Sequence, residues 1–201
     1  MLPEEHLEKR GITDPAVLHA IRSVAREEFV PAELRAEAFD DRPLQIGFDA
    51  TISQPYIVAA MTQLLEVRAE NRVLEIGTGS GFQAAVLSCL VAAVYSVEIV
   101  PELARSATER LGRLGYANVF VKEADGSLGW PEEAPFDRII LTAAPLQIPD
   151  ALLGQLAPGG LLVAPEGGPE QQVLILVSKS AAGECSRKTV FPVSFIPMRR
   201  T

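Results

Sequence analysis

The segment Arg72-Val73-Leu74-Glu75-Ile76-Gly77-Thr78-Gly79-Ser80-Gly81-Phe82 constrains the fold of this chain more than any other. It is a short apolar strand that carries one acid and runs straight into a turn with glycine at alternate positions. Alternate glycines let a backbone turn sharply and come within van der Waals reach of a bound group. A second strand, Ala93-Val94-Tyr95-Ser96-Val97-Glu98, ends in a carboxylate one helix further on. A Rossmann-type unit places its acceptor for ribose hydroxyls there. No Gly-x-x-x-x-Gly-Lys-Ser/Thr occurs, which argues against a phosphate-cradling P-loop.

From Arg72 onward, strands and helices alternate. Strands are expected at Val73–Ile76, Val94–Glu98, Val119–Lys122, Arg138–Thr142 and Leu161–Ala164. Helices fall between them at Gly81–Val91, Pro101–Leu114 and Pro149–Leu156. This βαβ rhythm predicts a parallel sheet covered on both faces. It stops after Ala164. Only residues 165–172 precede the next strand, Val173–Val177, and a parallel crossover needs about a dozen residues or more, so these two strands should pair antiparallel. A polar loop over 178–188 and a last strand near Val190–Ile196 complete the reading. Ahead of Arg72, Asp14 and Pro15 open a short helix, Ala32–Phe39 reads as another, and Leu44–Ile52 reads as extended or hairpin. Ser53 is expected to cap a helix reaching Glu66. The whole chain, 1–201, reads as one domain: a helical cap and substrate-side segment over 1–70, and a cofactor-binding α/β core over 71–201.

Charge and composition narrow the function. A net charge of −8 with scattered basic residues argues against a nucleic-acid surface, and Arg199-Arg200 reads as no more than a basic tip. No apolar run approaches the roughly 18 residues of a bilayer span, so no membrane partner is expected. Met1-Leu2-Pro3-Glu4-Glu5-His6 lacks the apolar core of a secretory signal. Two distant cysteines and two histidines, both among the first 19 residues, give no metal pattern.

The acids around the glycine turn point to the ligand. Glu75 would repel a phosphate and suits a cation. S-adenosylmethionine carries a sulfonium and an amino group, and matches that charge. Gly77, Thr78, Gly79, Ser80 and Gly81 would wrap it, and Glu98 would accept from its ribose. Asp125, before Gly126 at the end of the third strand, would accept from the adenine amine, with Thr142 closing the fourth strand. All lie at strand carboxyl ends, where open α/β sheets bind ligands. Each acid also has a plainer reading, as a cap or anchor for the turn that follows it. A nicotinamide-dependent oxidoreductase is the alternative.

The chain resembles the protein-L-isoaspartate (D-aspartate) O-methyltransferase family over nearly its whole length. The resemblance is carried by Arg26-Glu27-Glu28-Phe29-Val30-Pro31, Asp41-Arg42-Pro43-Leu44, Thr51-Ile52-Ser53-Gln54-Pro55-Tyr56, the glycine turn through Ala85, Asp125-Gly126-Ser127-Leu128-Gly129-Trp130 and Thr142-Ala143-Ala144-Pro145. It implies a Rossmann-like class I adenosylmethionine-dependent methyltransferase fold, with antiparallel C-terminal strands and an N-terminal helical cap. It also implies a cytoplasmic monomer that methylates the α-carboxylate of isoaspartyl residues in damaged proteins. A carboxylate is already ionised at neutral pH, so such a reaction needs no general base. Ser53, with Thr51 second, is then the expected donor holding the substrate oxygen. The chain departs from the family pattern at Phe48-Asp49-Ala50, Phe82 and Glu166, which bears on rate and substrate preference. A same-fold enzyme acting on another carboxylate or amine, or a non-catalytic cofactor or peptide binder, are the rival readings.

Overall fold

The computed structural model describes residues 4–200, apart from the side chain of Glu4. Met1, Leu2 and Pro3 of the N-terminal stretch lie outside it. A seven-stranded sheet forms the centre, in the order β5-β4-β3-β6-β7-β8-β9. Its strands are β3 (Arg72–Ile76), β4 (Ala93–Glu98), β5 (Val119–Glu123), β6 (Phe136–Leu141), β7 (Leu156–Gly168), β8 (Gln171–Lys179) and β9 (Cys185–Val193). β3 lies parallel to β4 on one side and to β6 on the other. The chain therefore winds outward to β5, then returns past β3 to build the other half. The reversal leaves a crevice at the carboxyl end of β3, the position where open α/β sheets bind ligands.

Alternation along β3 sends Val73 and Leu74 to opposite faces, and each meets its own core. Val73 joins Met61, Leu65, Ala84, Leu87 and Val94 beneath α3 (Pro55–Leu64) and α4 (Phe82–Ser88). Leu74 joins Ile139, Leu152, Leu162 and Val177 beneath α6 (Asp150–Gln155). Burying each such side chain contributes about 1.5–3 kcal/mol. A third cluster seats the N-terminal cap, formed by α1 (Glu4–Glu8) and α2 (Pro15–Ser23). Leu7, Val17, Ile21 and Phe29 pack there against Phe82 and Val86 of α4 and Leu111 of α5 (Pro101–Arg113). Asp14 caps α2 as expected, accepting from the backbone N–H groups of Ala16 and Val17.

β7 and β8 pair antiparallel from Leu161↔Ser178 to Gly168↔Gln171, as the short connection requires. The expected polar loop over 178–188 is shorter in the structure. β8 runs to Lys179 and β9 begins at Cys185, because a tight hairpin lets polar residues keep extending the ladder on a solvent-facing edge. β9 accordingly ends at Val193, ahead of Ile196. The segment Ala32–Glu37 is 3₁₀ rather than α-helical.

Leu44–Ile52 is the expected hairpin, β1 (Leu44–Gly47) paired with β2 (Ala50–Ile52). Ser53 does not cap α3. The cap position is Gln54, which supplies no side-chain bond, and Pro55 occupies the first helical position. The orphan N–H of Tyr56 is instead satisfied from a distance: Asp41 Oδ1 accepts it at 3.1 Å.

Candidate active site

A cavity of about 680 Å³ opens at the carboxyl end of β3, within the size range of small-ligand sites. Its inner end is walled by Ile76, Gly77, Gly79, Val97, Glu98, Gly126 and Thr142, and its outer end by Thr51, Ser53, Gln54 and Tyr56 with the hairpin tip. A further wall is the end of β9 and the chain that follows it, residues 191–199.

Gly77 shows why the turn is glycine. Its φ is 99°, and a Cβ there would sit 2.5 Å from Thr142 Oγ1. That hydroxyl already donates to the carbonyls of Gly77 at 2.5 Å and Ile76 at 3.1 Å, tying the ends of β3 and β6 together. Glu98 lies on the wall with both oxygens engaged: Oε2 accepts from Gly79 N at 2.8 Å and Oε1 from Val100 N at 3.0 Å. The anchoring reading of Glu98 is thus realised. A carboxylate has about four acceptor sites, so it can still take hydroxyls from a ligand.

Glu75, Thr78, Ser80, Gly81 and Asp125 are not on the cavity wall. Glu75 is fully buried behind the turn, where it takes a hydrogen bond from Ser96 Oγ, while its Oε1 has no partner among the described residues. Ser96 in turn lies 2.6 Å from the Thr78 hydroxyl. Burial pushes the Glu75 carboxyl up to about 8. The Ser96 bond pulls it down, and the charge of Glu98 adds to the rise. Glu75 is therefore a largely neutral acid near pH 7. The expected direct contact between its carboxylate and a bound cation is corrected by this burial. Ser80 and Gly81 lead into α4, Gly81 as its N-cap residue. Asp125 accepts from Ser127 N at 2.8 Å and caps the 3₁₀ turn Gly126–Leu128, the plainer of its two readings.

Thr51 and Ser53 both face the cavity, and the Ser53 hydroxyl makes no hydrogen bond among the described residues. Freed from capping, it can donate to a ligand. Trp130 packs edge-on to Tyr95 at 5.5 Å and belongs to the core. Phe82 is buried against Phe29 and is not on the cavity wall, so this departure from the family pattern does not touch the cavity. Glu166 accepts from Ile148 N at 2.8 Å and pairs with Arg187 at 2.5 Å, away from the cavity wall, which removes the reason to link it to rate.

Two parts of the site escaped the sequence reading. Asp41 accepts from Tyr56 N and pairs with Arg10 Nη1 at 2.5 Å and His6 at 2.8 Å, so one acid positions α3 and a cationic side chain of the cavity. Its carboxyl is held below the usual range. Burial would raise it, but the bonds from His6 and Tyr56 N and the charge of Arg10 outweigh that. The only signal was its place in Asp41-Arg42-Pro43-Leu44. The second is the wall at 191–199, for which composition gives no cue.

A sequence profile described as protein-L-isoaspartate(D-aspartate) O-methyltransferase matches residues 2–201. The chain belongs to that family. Among its relatives, the protein-L-isoaspartate O-methyltransferase of Myxococcus xanthus is 52% identical over 197 residues, covering 96% of this chain and 93% of the relative. A solved protein-L-isoaspartate O-methyltransferase superposes with a TM-score of 0.87 at 29% identity, covering 96% of this chain and 64% of that one. A candidate protein-L-isoaspartate O-methyltransferase from Plasmodium falciparum, solved in complex with S-adenosyl-L-homocysteine, has the same fold. Its TM-score is 0.85 at 24% identity, covering 98% of this chain and 97% of that one. The cavity thus has two ends, one at β3, β4 and β6 and the other at the hairpin.

Proposed function

We propose that this methyltransferase holds S-adenosylmethionine in the inner half of the cavity and an isoaspartyl residue of its substrate in the outer half. Its substrates are L-isoaspartyl residues of damaged proteins. The carrying observation is the continuity of one cavity from Glu98 and the glycine turn to the free hydroxyl of Ser53. The residues fit the cofactor: Glu98 keeps acceptor capacity for ribose hydroxyls, and Gly77 leaves room beside Thr142 where a side chain could not stand. When bound, S-adenosylmethionine supplies an electrophilic methyl group.

The rest of the work falls to positioning. The substrate α-carboxylate is ionised at neutral pH, so its oxygen attacks without losing a proton and no side chain has to act as a base. Both histidines lie within the first 19 residues, away from the cavity wall, in keeping with this. Ser53 donates to the carboxylate, with Thr51 beside it, and together they hold the oxygen in line at about 3–3.5 Å. Thr142, bound to two carbonyls, keeps the inner wall rigid. A monomer in the cytoplasm is part of the same proposal, supported by the family resemblance.

The test compares twin peptides carrying Asp or isoAsp at one position, with labelled S-adenosylmethionine. The isoaspartyl peptide should be labelled far more, because the normal linkage ties up the α-carboxyl in the peptide bond and leaves only the side-chain β-carboxylate, one methylene away from the in-line position. Equal labelling of the twins would leave a methyltransferase with another acceptor.

A further inference from the structure

The β1–β2 hairpin turns on Phe48 and Asp49, which both hold left-handed backbone, φ 54° and 55°. Two-residue hairpin turns with positive φ at both central positions favour Asn-Gly, because a Cβ crowds the backbone there. A phenylalanine in that conformation persists only where its surroundings hold it. Both residues border the cavity, and the Asp49 side chain is 99% exposed. One group holds the tip. Arg199 Nη2 donates to the Phe48 carbonyl at 2.7 Å and lies 3.6 Å from the Asp49 carboxylate. Arg199 is itself fixed by backbone bonds on the segment that carries it. Ala144 N donates to Ile196 O at 2.9 Å, and Met198 N donates to Ala144 O at 2.8 Å. A brace thus runs from the exit of β6, through the C-terminal segment, across the cavity mouth to the hairpin.

We propose that Arg199 is a positioning residue for the polypeptide substrate. It fixes the strained Phe48-Asp49 tip and thereby sets the shape of the mouth that the substrate backbone meets. The inference rests on the reading of the outer cavity as the isoaspartyl side. The chemistry lies deeper, at Ser53, so loss of the brace weakens substrate binding without slowing the bound reaction.

The experiment places R199A in two backgrounds, the natural turn and F48N/D49G, whose Asn-Gly adopts this turn unaided. With an isoaspartyl peptide, R199A should raise KM roughly 5-fold in the natural turn, less than about 2-fold in the Asn-Gly turn, and leave kcat within about 2-fold in both. R199K, which keeps a donor, should recover part of the loss. An unchanged KM in R199A overturns the proposal. So does an equal rise in both backgrounds, which would mean that Arg199 touches the substrate itself. Hydrogen exchange at the amides of residues 47–50 reads the brace without any substrate. R199A should speed it in the natural turn alone, and unchanged exchange overturns the proposal even if the peptide assay fails. Faster exchange in R199A with no labelling of either twin peptide would instead defeat the reaction reading and leave the brace standing.

Discussion

At the residue scale, two side chains behave differently from what their types suggest. Ser53 opens the segment before a helix yet caps nothing, so its hydroxyl is free for a ligand. Ser53→Gly should therefore leave thermal stability unchanged while lowering methyl transfer to an isoaspartyl peptide at least ~10-fold, a loss of about 1.4 kcal/mol at the transition state. Normal turnover in that variant would leave the carboxylate to Thr51 and backbone N–H groups. Glu75 is an acid raised to about 8 by burial. Because its folded value lies above the unfolded one, its contribution to stability is complete below about pH 4.3 and is lost as the pH rises through the folded value, by about 1.4 kcal/mol for each pH unit between the two. Denaturant melts of the cofactor-free protein at pH 5 and pH 8 should show this decline. Glu75→Gln should flatten it, and an unchanged slope in that variant would place the titrating group elsewhere.

At the scale of elements, the start of α3 and Arg10 of the N-terminal region owe their relation to one carboxylate. Asp41 accepts the Tyr56 N–H that Pro55 and Gln54 leave uncapped, and holds Arg10, whose guanidinium stacks 3.4 Å above the Tyr56 ring. Asp41→Ala should lower stability by about 1–2 kcal/mol, the usual consequence of a lost helix cap, and raise KM for the peptide. Asp41→Asn keeps an acceptor for Tyr56 N but removes the charge beside Arg10, so it should recover most of the stability and less of the KM. Equal stability of the wild type and the alanine variant, measured by urea unfolding, would mean that water replaces the cap. This arrangement was not legible in the sequence, because a cap supplied by a residue far along the chain leaves no local pattern. The expectation of a cap at Ser53 failed for the same reason: the rule that reads Ser before a helix sees neighbours, not tertiary partners.

At the scale of the molecule, the βαβ rhythm and the short 165–172 connection were enough to place the parallel half and the antiparallel turn-back, because periodicity and loop length are local properties. Gly77 and Glu98 were legible too, since both are fixed by the geometry of strand ends. Glu75 was legible as an acid at a strand end, but not as one buried behind the turn. The wall at 191–199 was hidden, because it depends on where the end of β9 and the irregular segment after it cross the sheet. Sheet order has a further consequence, in time rather than space. β7, β8 and β9 close through short hairpins, whereas Val73 of β3 must find Arg138 of β6 across an intervening βαβ unit. Long-range pairings of that kind form slowly, since loop entropy is lost before contacts repay it. The cavity sits on that late pairing. On refolding, strand signal from the hairpins should return first and isoaspartyl methylation only with the slowest phase, so that a half-folded copy of this repair enzyme is itself a damaged protein without the means to repair others.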